Sequence, residues 1–436
     1  MVDYVAAIDY SALEKEFDVV YPENDNATYV SQVNYSDDLD KPYQRWYRYK
    51  EGFSIELVKR LIKQQTSKSS GVILDPFSGS GSTLIAANKL GFKGVGFEVN
   101  PFSYFLSDVK LRNYSKEEIE MFRTSYIKIL ENNNDEFPLP QLSFSDKVFT
   151  KEVRRKLMII KQNIIDFDNK EENPNITGLL KLGWLSAIET LSNYRKAGNG
   201  LKKRKLKEPV ILTEDDVFYK LDNIYASMYD DLMLNNYKKD VKIYNNTSIE
   251  LEQYIEKNSV TGIIFSPPYA NCFDYTEIYK LELWFGSFVS NYDDMRTLRK
   301  NSLRSHIGAN LEEEEGNLCT DSFLEKIVNE IKQKELWSKK IPRMLRLYFH
   351  DMFKIIEKCF ISLEKGGFCN IVVSNSSYGG VVVPTDLLFA KYAERIGFKV
   401  NKIEVARYII TSSQQYNITR EQKKFLRESV LCLKKN

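Results

Sequence analysis

Residues 71–98 constrain the fold more than any other stretch. Gly71-Val72-Ile73-Leu74 is a short apolar run that reads as a buried strand. Asp75-Pro76-Phe77-Ser78-Gly79-Ser80-Gly81-Ser82 follows as a Gly/Ser loop. Thr83 to Leu90 reads as a helix, with Gly91 where a left-handed cap is needed. Gly94-Val95-Gly96-Phe97-Glu98 reads as a second strand. Strand, loop, helix and strand span roughly 30 residues, the size of one βαβ unit. Gly79 and Gly81 let the backbone approach a ligand closely. The helix N-terminus aims N–H groups and partial positive charge at that ligand. No Gly-Lys-Ser/Thr follows, so this is no triphosphate loop. Glu98 ends the next strand about 20 residues on, where a carboxylate accepts from ribose hydroxyls. Asp75, at the strand tip, faces a cationic amino group in this reading. A lone glycine loop is more often a plain turn; the ordered set, from strand to Glu98, is what argues for a site.

A second constellation is Ser266-Pro267-Pro268-Tyr269, directly after the apolar run Gly262–Phe265. Two prolines fix φ and remove two donors, so nearby carbonyls are left to accept from a ligand. Ser266 offers a hydroxyl and Tyr269 a flat face with a polar tip. Such a site suits a planar heterocycle bearing an exocyclic –NH₂, which donates to Ser266 and to the Pro267 carbonyl. Alone, a Pro-Pro-Tyr run is more often a turn or a partner motif. At the carboxyl end of an α/β strand it stands where ligands bind.

The rest of the chain follows the same alternation, with two interruptions. Residues 54–65 read as an amphipathic helix capped by Ser54. Strands are expected at 241–244 and 262–265, a helix near 343–363, a strand at 368–373, a helix from Pro384 to Gly397, and strands at 399–407 and 429–433. This predicts a doubly wound, mostly parallel α/β sheet with an antiparallel edge strand. The expected segments are 1–110 and 241–286 as core, 343–436 as the C-terminal part of the core, and two mainly helical insertions, 111–240 as a candidate DNA-recognition region and 287–342 as a candidate target-recognition region.

Composition excludes several classes. The 436 residues are 43% hydrophobic and 28% charged, with net charge +2. No apolar run of membrane-spanning length and no secretory leader is visible, so a cytoplasmic protein is expected. The five cysteines show no CxxC spacing and there are only two histidines, so no metal site is expected.

Together the two constellations resemble the amino-methyltransferases of DNA. Asp75–Gly81 resembles their motif I, and Phe97-Glu98-Val99-Asn100-Pro101 their motif II. Ser266–Tyr269 is similar to motif IV in its cytosine-N4 form. Tyr49-Lys50-Glu51-Gly52-Phe53-Ser54 resembles motif X, and Gly366–Ser374 the strand of motif VI. The resemblance implies a Rossmann-like class I methyltransferase with a seven-stranded sheet. It implies S-adenosylmethionine as cofactor, held by Phe53, Ser54, Asp75, Pro76, Phe77, Ser78, Gly79, Gly81, Glu98, Val99, Asn100 and Ser266, with Asn246 in place of a frequent Asp. Ser266, Pro267, Pro268 and Tyr269 would act on N4 of a cytosine flipped out of duplex DNA, by direct transfer without a covalent intermediate. The partner would be double-stranded DNA, and a cognate restriction endonuclease or defence-system subunit. Adenine-N6 methylation, RNA amino-methylation and an inactive DNA-binding scaffold are the alternatives.

Two basic stretches are candidate DNA contacts: Lys202, Lys203, Arg204 and Lys205, and Arg299, Lys300 and Arg304 after motif IV. Solvated surface charge is the competing reading for both.

Overall fold

The computed structural model of the chain describes residues 8–22, 38–50, 52, 54–198, 200–205, 212–234, 241–312, 318–409 and 420–436. Its strands, in chain order, are β1 (Val19–Val20), β2 (Val72–Asp75), β3 (Lys93–Phe97), β4 (Tyr194–Ala197), β5 (Gly200–Lys203), β6 (Val241–Tyr244), β7 (Val260–Phe265), β8 (Leu363–Ser374), β9 (Ser376–Tyr378), β10 (Val381–Val383), β11 (Phe398–Tyr408) and β12 (Arg427–Lys435). Eight form the main sheet, in the order β1-β11-β12-β8-β7-β2-β3-β6. All neighbours are parallel except where β12 meets β11 and β8.

The doubly wound α/β sheet is therefore present, with two differences from expectation. The antiparallel strand, β12, lies inside the sheet rather than at its edge. An eighth strand, β1, pairs through two residues, Val19 with Ile403 and Val20 with Glu404. Two residues carry no readable periodicity, and only the exposed edge of β11 makes them a strand. β7 is buried along its whole length because helices cover both faces of the sheet, which is why it reads as an unbroken apolar run.

The amphipathic helix is Ile55–Gln65, and Ser54 caps it, its Oγ accepting from Leu57 N at 3.2 Å. The interruption after residue 111 folds as long helices, Lys116–Glu131, Lys151–Glu171, Pro174–Leu191 and Glu214–Leu234, plus the hairpin β4–β5. Their apolar faces share one core with Tyr43, Trp46, Tyr47 and Tyr49 and with residues 273–295. Asp231, fully buried on the last of these helices, accepts from Tyr43 N (2.9 Å), Trp46 Nε1 (2.8 Å) and the Arg45 guanidinium (2.6 Å). That carboxylate anchors segment 38–50 to the helical lobe. Among the described residues no helix is long and apolar enough to cross a membrane.

The chain winds outward from β2 in both directions, through β3 to β6 on one side and through β7 to β8 on the other. The order of strands thus reverses between β2 and β7. Connections leave this point on opposite faces of the sheet, which opens a crevice at the carboxyl ends of those two strands.

Candidate active site

Asp75 ends β2 and Ser266 follows β7, so both constellations meet at that crevice. They line one cleft of about 1070 Å³ of empty volume, open to solvent. Its first half is built on the glycine loop. Asp75 is buried, and its Oδ1 accepts from Phe77 N at 2.9 Å. Ser78 N donates to Phe97 O at 2.9 Å and Gly81 N to Ser78 O at 2.7 Å, which closes the loop against β3. Gly79 stands at φ +50°, and a Cβ there would lie 3.3 Å from the Tyr49 ring. A side chain at this position would crowd both the loop and the ring above it.

Glu98 ties the two nucleotide-facing loops together. Its Oε2 accepts from Gly79 N at 2.9 Å and its Oε1 from Asn100 N at 2.8 Å. Asn100 in turn caps helix Pro101–Leu111, its Oδ1 accepting from Phe102 N and Ser103 N. Asn246 reaches the cleft wall, with its amide donating to Tyr254 Oη at 2.6 Å and its Oδ1 accepting from Thr247 N at 2.8 Å. Tyr49 stacks on Tyr279, ring centroids 5.1 Å apart, and shares a hydrogen bond with Ser103.

Burial makes both carboxylates hard to ionise alone. It pushes Asp75 up to about 7, and Glu98 up to about 7 against the pull of its backbone donors. A cationic ligand with hydroxyl donors is what such a pair lacks. Binding that ligand favours the ionised forms, so it releases protons. Cofactor affinity is therefore expected to rise as pH rises through about 7, with net proton release in calorimetric titrations across buffers of different ionisation enthalpy. Flat affinity or proton uptake would contradict the assignment. For the ligand-free protein the sign is opposite. The folded state binds more protons than the unfolded one between the ordinary carboxylate values and about 7, so these two groups lower stability as pH climbs through that window.

The second half of the cleft begins at Ser266 and Pro268 and continues with Asp274, Tyr275, Thr276 and the stretch 298–306. Ser266 Oγ donates to Tyr269 Oη at 3.1 Å, and Tyr269 Oη donates to Glu428 Oε1 at 2.6 Å. Glu428 is buried at the start of β12, and its other oxygen accepts from Arg407 Nε at 2.5 Å. Asp274 caps the turn of helix Tyr275–Ile278, accepting from Thr276 N, and its Oδ2 accepts from Arg299 Nε at 3.1 Å. His306 lies beside it, Nδ1 at 3.8 Å from Asp274 Oδ2, and burial pushes the imidazole below its usual range.

The structure brings most of the expected residues to this cleft. Asp75, Pro76, Phe77, Ser78, Gly79, Glu98, Val99, Asn100, Asn246, Ser266 and Pro268 all line it. Four stand elsewhere. Ser54 is spent on its helix cap. Gly81 packs behind the loop, where a Cβ would meet Leu111 and Ser107 at 3.3 Å. Pro267 is buried, and Tyr269 is half-buried behind Ser266 with its hydroxyl on Glu428. Phe53 lies outside the described residues. Sequence reasoning missed Glu428 and Arg407, because nothing local to β11 or β12 announces contact with a loop more than a hundred residues away.

The basic stretches divide in the same way. Lys202, Lys203 and Lys205 are exposed on or beside hairpin β4–β5, while Arg204 turns back to the Ser192 and Glu189 carbonyls. Arg299 is committed to Asp274, Thr276 and Glu277, and Arg304 is buried against Asp351. A guanidinium already paired with carboxylates has its charge largely neutralised, and breaking such a pair for a phosphate is costly. Of this second stretch only Lys300 is exposed.

The chain is similar in sequence to known proteins. The N6/N4 family described as DNA methylase matches residues 10–106, which span the glycine loop and Glu98. The type II methyltransferase M.AvaI, from Nostoc and from Anabaena variabilis, is 28% identical over 405 residues, covering 86% of this chain and 82% of that protein. The type II methyltransferase M.BsoBI of Geobacillus stearothermophilus is 27% identical over 430 residues, covering 85% and 81%. These matches support the DNA amino-methyltransferase family for this chain. S-adenosylmethionine is its cofactor. The cleft of this methyltransferase fits that molecule: two buried carboxylates answer its positive charge and its hydroxyls, and the lack of a side chain at Gly79 keeps the loop clear beneath Tyr49.

Proposed function

We propose that the protein methylates N4 of a cytosine flipped out of duplex DNA, as the modification enzyme of a restriction-modification pair. One observation carries the reading. The Ser266 hydroxyl proton is directed to Tyr269, and the Tyr269 proton to Glu428. Ser266 therefore meets a ligand in the cleft with lone pairs only. The matching group is an N–H donor, which an exocyclic amine supplies and a ring C–H or a carbonyl does not.

The cofactor brings an electrophilic methyl carbon on a sulfonium. The protein's task is alignment, since such a displacement gains most from a near-attack geometry. The Ser266 oxygen accepts a hydrogen bond from the amine and turns the nitrogen lone pair toward the methyl carbon. The nitrogen takes the methyl group and gives up one proton. The chain from Ser266 through Tyr269 to the Glu428 carboxylate leads that proton away from the base. Asp274, Thr276 and His306 supply polar groups for the base edges. Cys272, the sulfur nearest in sequence to the motif, is buried and its thiol is pushed up, so no thiolate stands ready for covalent attack. Ser at the head of the motif favours cytosine, following the family resemblance. The names of the relatives, type II methyltransferases, support a cognate endonuclease as partner in the cell. Exposed Lys202, Lys203 and Lys205 would hold backbone phosphates at the rim.

The test is nucleoside mass spectrometry of unmethylated DNA incubated with the protein and S-adenosylmethionine. N4-methylcytosine is expected, and it should disappear with Ser266→Ala and Tyr269→Ala. N6-methyladenine in its place would move the target to a purine and keep the alignment mechanism.

A further inference from the structure

A second candidate surface lies between helix Ser322–Lys332 and helix Ile341–Ser362. Lys332 ends the first helix and the connecting residues include Lys334, Lys339 and Lys340, all exposed, with exposed Arg343 one turn on. Between them stands Trp337, 66% exposed, whereas Trp46, Trp184 and Trp284 are buried. Its ring is therefore open to contact from outside, with an apolar face and a polar N–H. The two helices also enclose an open depression of about 600 Å³ of empty volume, walled by Lys332, Lys339, Arg343 and Arg346 over Leu318, Pro342 and Leu347. Arg346 is paired with Glu325 at 2.6 Å and Lys334 with Glu330 at 3.6 Å. Lys332, Lys339 and Lys340 form no ion pair among the described residues.

This surface is coupled to the active site through one hairpin. Lys334 and Leu336 pack on the β9–β10 turn so closely that a Cβ on Gly379 would lie 2.5 Å from Lys334 Cβ. From the same hairpin Tyr378 Oη donates to the Ala270 carbonyl at 2.9 Å, immediately after Ser266–Tyr269. The loop thus sits one hairpin away from the motif that receives the base.

We infer that the Lys332–Arg343 loop is a second DNA contact, which grips the duplex flanking the target. Lys332, Lys339 and Lys340 hold backbone phosphates, and Trp337 lays its face on the sugar and base edges. The inference rests on the reading of the protein as a DNA methyltransferase and adds a surface to it. A polyanion is the fitting occupant, since Lys332 and Lys339 wall the depression and, with Lys340, form no ion pair among the described residues.

The test uses a fluorescently labelled duplex of mixed sequence and the full chain. Each phosphate contact contributes about −0.9 to the slope of log affinity against log salt. Lys332→Gln combined with Lys339→Gln should make that slope shallower by about 2. Trp337→Ala should weaken binding about tenfold at fixed salt. Duplex should also shield the acrylamide-quenchable tryptophan emission, which comes from Trp337 because the other three are buried. Unchanged slopes with Trp337 still open to quencher would overturn the inference, even with methylation intact. Shielding and a shallower slope in a protein that neither binds cofactor nor methylates DNA would sink the enzymatic reading and leave this surface standing.

Discussion

Ser266→Ala is expected to lower the turnover number about 10²–10³-fold while leaving cofactor affinity nearly unchanged. The magnitude is that of removing one preorganised hydrogen bond aimed at the charge that develops in a transition state. The serine touches the base amine in the proposed complex, whereas the buried carboxylates that hold the cofactor, Asp75 and Glu98, lie in the other half of the cleft. Loss should therefore appear in the rate of the chemical step and only weakly in the KM for S-adenosylmethionine. Single-turnover methyl transfer on a saturating duplex measures it, with calorimetry for the cofactor. Glu428→Gln separates alignment from proton removal. Glutamine still accepts from Tyr269, so alignment survives, but it is a far weaker proton acceptor than a carboxylate. A smaller rate loss with a changed pH profile is expected, and an unchanged profile would remove Glu428 from the proton path.

Asp231→Ala is expected to destabilise the protein by about 3 kcal/mol or more and to weaken cofactor binding with it. Removing one partner of a buried charged network costs about 3–5 kcal/mol, because the remaining donors are left without acceptors. Here the stranded groups are Tyr43 N and Trp46 Nε1, both buried; Arg45 is partly solvated, which holds the figure to the low end. The consequence for function comes through segment 38–50. Lys110, buried beneath the glycine loop with its amine pushed down to about 7 by burial, donates to Gln44 Oε1 at 2.8 Å and to Ser80 O at 3.1 Å. Gln44 Nε2 donates to Ser82 Oγ at 3.3 Å, and Tyr49 covers Gly79. Loosening the segment removes both the brace and the cover. Denaturant unfolding followed with and without S-adenosylmethionine should show a lower midpoint and a smaller cofactor-induced shift. A destabilised variant with full cofactor affinity would separate the segment from the site.

What could be seen in the chain was whatever depends on local order. The glycine loop, Glu98 and the Ser-Pro-Pro-Tyr run each stand at the end of an apolar strand, and strand-end position is readable because buried parallel strands are short, apolar and abruptly terminated. Ser54 shows the limit of the same logic. It is a helix cap by sequence and by structure, and it stands outside the lining of the cleft. Arg299 and Arg304 fail as free cations for a related reason. Charge is visible in a sequence, but whether a carboxylate such as Asp274 or Asp351 folds against it is not.

The sequence by itself determined the alternation of strands and helices, the two motifs and hence the chemistry, because these rest on periodicity and on residues adjacent in the chain. Only the tertiary structure decided that β12 enters the sheet between β8 and β11, bringing Glu428 to Tyr269 across 159 residues. It also decided that Asp231 ties segment 38–50 to a helical lobe, and that Trp337 stays in water while every other tryptophan is buried. Such contacts are set by which surfaces can be desolvated together, a property of the whole packed molecule that no local window of residues contains.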